Sequence, residues 1–148
     1  MSDADRTRQL YVDLQQFYAA HLRLLDDGRV DEWAAEFEPD GLLIHPQRAA
    51  THTGRAEIAD GLRRTAERLR AAGLVRRHWL GNLTIENDGA AKGTIRTRFY
   101  SLVVEAGPGQ PPRLHLSTDI RDHLVPHGAS WLVRERSITH DPILTTPN

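Results

Sequence analysis

Apolar residues recur every three or four positions in the first half of the chain, and this spacing predicts amphipathic helices. The stripe over residues 6–27 predicts a long first helix, which Gly28 ends. A short second helix follows on the same period, through Val30, Trp33, Ala34 and Phe37. A third helix is predicted over residues 54–72, because Gly73 occupies the C-cap position that glycine favours.

The second half of the chain is different, since β-branched and aromatic residues dominate extended segments there. We predict four strands, over residues 75–86, 93–105, 113–125 and 131–140. Turn sequences separate them, at residues 87–89, 107–109 and 127–128. Three successive hairpins of this kind make an antiparallel meander. Ahead of the third helix, residues 42–44 predict one short buried strand, and residues 47–54 are predicted to be irregular or weakly extended.

Helices early and strands late in the chain favour an α+β fold. The 148 residues fit a single domain, residues 1–148. The expected architecture is a cone-shaped, curved antiparallel sheet with the three N-terminal helices packed on its concave face, an α+β barrel. The mouth of such a cone is a natural site for a small molecule.

The clearest alternation lies in the third long strand, where even-numbered positions are mostly apolar. Period two turns Thr118, Ile120, Asp122 and Leu124 inward together. A carboxylate at Asp122 must therefore be paired, hydrogen-bonded or protonated, because an unpaired buried charge is too unfavourable. Two interpretations stay open: a structural Asp bonded to a neighbouring strand or an Arg, and a pocket carboxylate.

Several other polar or aromatic residues face the expected cone. On the first long strand, His78 and Asn82 share a face with Thr84, which is either cavity lining or an ordinary half-exposed surface. On the second, Phe99 belongs to the better core or pocket face. His21 lies on the apolar stripe of the first helix, and His45 ends the first strand, close to a possible pocket mouth.

Charge and composition narrow the possible chemistry. The formal net charge of -1 gives no reason to expect nucleic acid or an anionic membrane as a partner. The absence of Cys excludes disulfides, thiolate nucleophiles and Cys-ligated metals. No apolar run reaches the length of a membrane span and the N-terminus has no apolar signal segment, so we expect a cytoplasmic protein. We expect no metal site.

Several motifs along the chain resemble, in order, those of the SnoaL-like branch of the nuclear-transport-factor-2-like superfamily. The first two helices carry them in residues 17–28 and 32–37, and Gly54-Arg55-Ala56-Glu57-Ile58 resembles the start of the third helix. Arg77-His78 with Asn82 resembles the family's R-H-x-x-x-N strand. Asp122, followed by Trp131-Leu132-Val133 and Arg136, resembles its closing hairpin.

This resemblance implies a cone-shaped fold with a deep pocket, no cofactor and, in most members, a homodimer. Members include polyketide cyclases and enzymes similar to scytalone dehydratase and ketosteroid isomerase, while others only bind ligands. In the dehydratase-like members, an Asp at the end of the first helix and the His of the R-H strand are pocket groups. By their motifs these correspond to Asp26 and His78 here. The dehydratase's second pocket His would correspond to a position near Ser101, which is not His.

The leading hypothesis is a cofactor-free enzyme that cyclises, dehydrates or isomerises a polyketide-like or other carbonyl-rich small molecule. His78 would act as general base or acid, with Asp26 or Asp122 as its partner. The predicted substrate-binding residues are Tyr18, His21, Trp33, His45, Asn82, Phe99 and Thr118. The alternative is a module of the same fold that binds a small ligand or a partner subunit without chemistry. Two or more titratable side chains converging in one enclosed cavity would favour the enzyme.

Overall fold

A six-stranded sheet and three α-helices make up the part of the chain that the computed structural model describes, residues 1–86 and 93–142. The helices are α1 (Asp3–Asp26), α2 (Val30–Ala34) and α3 (Gly54–Ala72). The strands are β1 (Phe37–His45), β2 (Ala50–Thr53), β3 (Val75–Ile85), β4 (Ile95–Gly107), β5 (Gln110–His127) and β6 (Ser130–His140). The predicted turn at residues 87–89 lies outside the described residues.

The strand order is β2-β1-β6-β5-β4-β3, which confirms the α+β class and the predicted meander from β3 to β6. The expectation of a purely antiparallel sheet was wrong at one pair, because β1 and β6 run parallel. A whole helix and the meander separate these two strands in sequence, so no hairpin sets their relative direction. The sheet is also open rather than closed into a barrel, with β2 and β3 at its two edges.

Several boundaries in the N-terminal half differ from the sequence prediction. The second helix ends at Ala34, and Phe37 begins β1 rather than continuing the helix. The strand predicted over residues 42–44 is longer and runs from Phe37 to His45. The segment predicted to be irregular or weakly extended contains β2, which pairs with the end of β1 from Leu42 to His45. These differences follow from pairing between strands, which periodicity along one segment does not show.

A bulge in β3 changes which residues face the helices. The pairing with β4 shifts register between Gly81 and Thr84, and Asn82 has a positive φ of 55°. Before the bulge His78 faces inward, whereas after it Leu83 is buried and Asn82 is exposed. The single alternation that the sequence predicts for this strand therefore holds only for its first half.

The core lies between the helices and the inner face of the sheet. From α1 it receives Leu14, Phe17 and Tyr18, which pack with α2, β1 and the meander strands. The inner faces of β4 and β5 have the predicted alternation, with Phe99 and Ile120 both buried. Among the described residues, no helix is long and apolar enough to cross a lipid bilayer.

Candidate active site

A cavity of about 670 Å³ lies between the three helices and the sheet, a volume suited to a drug-sized molecule. The end of α1, α2 and α3 form one side of it, and strands β1 and β3 to β6 form the other. Its wall is more apolar than polar, with residues such as Leu22, Leu62, Val103 and Ile120. The cavity can therefore hold a largely apolar molecule that also carries polar groups.

One pair of titratable side chains in this wall is built by the end of α1 and the inward face of β3. The carboxylate Oδ1 of Asp26 lies 2.6 Å from Nδ1 of His78. Both carboxylate oxygens also accept the backbone N–H of His78, at 3.2 Å each. The side chain of Asp26 is 9% exposed and that of His78 is 19% exposed. We call this pair the dyad.

The geometry of the dyad defines what His78 can do. A carboxylate that accepts the Nδ1 proton holds the neutral imidazole in the tautomer whose Nε2 lone pair is unprotonated. Nε2 can then take a proton from a molecule in the cavity, and the carboxylate stabilises the imidazolium that forms. The additional bonds to the backbone N–H fix the position of Asp26, which lies at the helix end where the macrodipole disfavours a carboxylate.

Four buried polar atoms in the cavity wall make no hydrogen bond within the described residues. Two belong to His45 and His140, and the other two are Ser101 Oγ on β4 and Trp33 Nε1 on α2. Ser101 is a diagonal neighbour of His78, because His78 pairs with Val103 two residues further along β4. Buried polar groups are rarely left unpaired, so Ser101 Oγ and Trp33 Nε1 are candidates to bond a ligand oxygen.

A second carboxylate, Asp122, belongs to a different arrangement that we call the buried network. Its two oxygens accept hydrogen bonds from Nε and Nη2 of Arg136, both at 2.8 Å. Oδ2 also accepts a hydrogen bond from the hydroxyl of Tyr18 at 2.8 Å. The Tyr18 hydroxyl lies 2.6 Å from Thr97 Oγ1, and Arg136 Nη1 donates to His21 Nε2 at 3.0 Å. Each charge is thus paired and hydrogen-bonded, as burial requires.

Burial shifts the titration of the groups in this network. It raises the pKa of Tyr18 well above its ordinary value, so the phenol stays protonated and donates to Asp122. It lowers the pKa of His21 well below its ordinary value, and the positive charge of Arg136 lowers it further. His21 is therefore neutral and its Nε2 accepts from Arg136, which leaves the proton on Nδ1.

The structure divides the predicted site residues into three groups. The cavity wall contains Asp26, Trp33, His45, His78 and Thr118. The buried network and the adjoining core contain Tyr18, His21, Phe99 and Asp122, and within the described part of the chain none of these four lines the cavity. Asn82 is exposed on the other face of the sheet, because the β3 bulge reverses the alternation before it.

Two cavity residues on β6, Arg136 and His140, were not predicted from the sequence as site residues. Ile138 lies between them, and this alternation along the strand is the signal that could have identified them. As for metals, no group of three or more His, Cys, Asp or Glu among the described residues is arranged to hold an ion.

Comparison with solved structures gives matches along nearly the whole chain. Aln2 from a Streptomyces species is 28% identical, covers 90% of this chain and 91% of its own, and has a TM-score of 0.80. A Catenulispora acidiphila protein in complex with S-DNPA is 30% identical, with coverages of 90% and 95% and a TM-score of 0.78. An NTF2-like protein with a cystatin-like fold from Novosphingobium aromaticivorans is 25% identical, with coverages of 93% and 86% and a TM-score of 0.73.

No curated protein matches the sequence significantly. The family model of the SnoaL-like domain matches residues 6–137, which span the helices, β1 and nearly all of the meander. The motifs of the dyad and of the buried network both fall inside this match. The chain therefore belongs to the SnoaL-like domain family.

Proposed function

We propose that this protein is a cofactor-free enzyme that cyclises, dehydrates or isomerises a carbonyl-rich, polyketide-like small molecule through an enolate. The observation that carries the proposal is the 2.6 Å contact between Asp26 and His78 in the wall of a cavity large enough for such a molecule. An apolar wall with one oriented imidazole favours proton transfer on a bound ketone over simple storage of an apolar ligand.

The reaction begins when His78 Nε2 removes a proton from the carbon next to the substrate carbonyl. The electron pair of the broken C–H bond moves to the carbonyl oxygen and forms an enolate. Ser101 Oγ and Trp33 Nε1, which have no other partner among the described residues, are the groups available to donate to that oxygen. Asp26 stabilises the imidazolium until His78 returns the proton. The proton goes to carbon in an isomerisation and to a leaving hydroxyl in a dehydration. In a cyclisation the enolate carbon forms a bond to a second carbonyl carbon, and the proton goes to the alkoxide oxygen formed there.

The direct test follows exchange of the α-protons of 2-tetralone for deuterium by NMR. We expect the wild-type protein to accelerate exchange over buffer, and His78→Ala to lower that acceleration at least about tenfold, as loss of a general base does. His127→Ala, which removes an exposed histidine at the end of β5, is the matched control and keeps the wild-type rate. Equal rates for His78→Ala and wild type would remove His78 from the mechanism.

We also propose that the protein works as a homodimer. The outer face of the sheet carries an exposed apolar patch of Trp79, Tyr100 and Leu102, and Trp79 is 64% exposed. Trp79 pairs with Leu102 across β3 and β4, and a shallow depression lies beside them over Gly81. A projecting ring next to a depression is a surface that a second copy related by a two-fold axis complements.

Sedimentation velocity tests this assembly. We expect a dimer for the wild type and a monomer for Trp79→Lys, because a charge at the centre of an apolar contact is unfavourable. Tyr11→Lys, which alters an exposed aromatic residue on α1 instead, should remain dimeric. A monomeric wild type, or a dimer in all three proteins, would contradict a dimer that uses this patch.

A further inference from the structure

The end of the cavity opposite the dyad carries a pair of histidines that the proposed proton transfer does not use. His45 ends β1 and His140 ends β6, and both line the same cavity as His78. In the sheet, β6 is three strands away from β3, so the backbones of these two strands are roughly 14 Å apart across the sheet. A molecule that contacts both ends must cross the inner surfaces of β4 and β5.

The two imidazoles pack against each other, and the backbone of one of them is fixed by hydrogen bonds. Their rings stack with centroids 5.8 Å apart. Gln47 fixes the backbone of His140, since its amide donates to the His140 carbonyl at 2.7 Å and accepts the His140 N–H at 2.8 Å. His45 Nδ1 and His140 Nε2 are nevertheless buried without a hydrogen bond to any described residue. The pair therefore has unused hydrogen-bonding capacity next to a cavity.

The surroundings of this histidine pair favour a negative ligand group. Burial lowers the pKa of both imidazoles, and the positive charge of Arg48 lowers both further. The ring of His52 lies 6.2 Å from that of His45 and also lowers its pKa, while Asp141 acts in the opposite direction on His140. Arg48 itself forms no ion pair with a described residue, and the three histidines are not arranged as a metal site.

We propose that His45 and His140 bind a carboxylate of the substrate and so anchor it at the end of the cavity opposite the dyad. The proposal rests on the proposed function and names its substrate class: a rigid, apolar molecule with a carbonyl at one end and a carboxylate at the other. The carboxylate would accept hydrogen bonds from the two imidazoles and lie in the field of Arg48. Anchoring the far end fixes which carbon meets His78 Nε2.

The test compares the binding of anthracene-2-carboxylate with that of anthracene-2-carboxamide, followed by anthracene fluorescence. The two probes have the same rings and differ in charge at one end. We expect the acid to bind about tenfold more tightly than the amide to the wild type, a typical gain for a charge-assisted hydrogen bond. His45→Leu and His140→Phe should each remove most of this preference, while His127→Ala keeps it.

The amide reports whether a variant still has an intact cavity. If the anchor is correct, His45→Leu and His140→Phe bind the amide within about twofold of wild type and lose affinity only for the acid. Binding of the acid should also strengthen as the pH falls from about 8 to about 6, because the bound anion favours the protonated imidazoles. Equal wild-type affinities for acid and amide, or equal losses of both probes in the variants, would overturn the proposal.

This experiment separates the anchor from the proposed catalysis. His78→Ala removes the base but leaves the opposite end of the cavity unchanged, so it should retain the preference for the acid. Loss of deuterium exchange with retention of acid binding supports both proposals. Exchange that is unaffected by His78→Ala contradicts only the catalytic role, and absence of the acid preference contradicts only the anchor.

Discussion

Asp26 and Asp122 lie next to the same kind of partner, a nitrogen-bearing side chain on a neighbouring element, yet their surroundings give them different capacities. Asp122 is sealed, with its oxygens occupied by Arg136 and Tyr18 and its side chain 0% exposed. Asp26 bonds Nδ1 of His78, both residues line the cavity, and no hydrogen bond to a described residue occupies the other ring nitrogen. A carboxylate can assist proton transfer when its hydrogen-bonded partner has a second atom that is able to contact a ligand.

The difference also lies in how much charge each region must hold. The buried network keeps a full ion pair out of water, so removal of one member leaves the other uncompensated. The dyad lies at the edge of a cavity, so a substitution there leaves no unpaired charge in the core. We therefore expect substitutions in the buried network to act on stability and those in the dyad to act on turnover.

The largest effect is expected for Asp122→Ala, which leaves Arg136 buried without its counter-charge. The free energy of unfolding should fall by about 3–5 kcal/mol, measured by urea denaturation. Asp119→Ala is the matched control, because it breaks another cross-strand Arg–Asp pair whose Arg98 side chain is 36% exposed. That control should lose about 1 kcal/mol or less. Similar losses in the two variants would contradict the sealed character of Asp122.

A smaller effect, on activity alone, is expected for Asp26→Asn. The amide can donate to His78 Nδ1 and so select the tautomer whose Nε2 carries the proton and cannot act as a base. Deuterium exchange into 2-tetralone should fall about tenfold or more, with less loss of stability than in Asp122→Ala. Asp27→Asn changes the neighbouring carboxylate, which also lines the cavity, and should keep the wild-type rate. A larger effect at Asp27 than at Asp26 would exclude the dyad as the active pair.

The smallest effect concerns His21 and appears as a pH dependence of stability. Because burial lowers the pKa of folded His21 below that of the unfolded chain, the unfolded state takes up a proton first as the pH falls. Stability therefore decreases below about pH 6.5, with a slope of up to about 1.4 kcal/mol per pH unit from this residue. His21→Gln, whose amide oxygen can still accept from Arg136, should reduce that slope. If stability changes with pH equally in both proteins between about pH 5 and pH 7, His21 is not the source of this pH dependence.

Much of the fold was accessible from the sequence because its signals are local. The 3.6-residue stripe of α1 and the even-numbered face of β5 predicted that Tyr18 and Asp122 point inward, and both are buried. Asp26 and His78 are 52 positions apart in the sequence, and only the family resemblance suggested that these two residues share a pocket. The hydrophobic periodicity of one element does not show which distant element it contacts.

The sequence failed where pairing between strands altered the local pattern. Asn82 was expected beside His78 on one face, but the bulge at Gly81 and Asn82 inserts a residue and reverses the faces beyond it. The choice between two roles for Asp122 likewise depended on whether Arg136 on β6 reached it. His140 lies inward because Arg136, Ile138 and His140 alternate along the last part of β6 and all three line the cavity.

The β3 bulge has one more consequence, for how separate molecules meet. In the described part of the chain β3 is an edge strand, paired only with β4, and a regular edge strand offers a template for uncontrolled addition of strands from other chains. The positive φ at Asn82 interrupts that template halfway along the strand. Edge-to-edge aggregation of separate copies through β3 is thereby made less favourable.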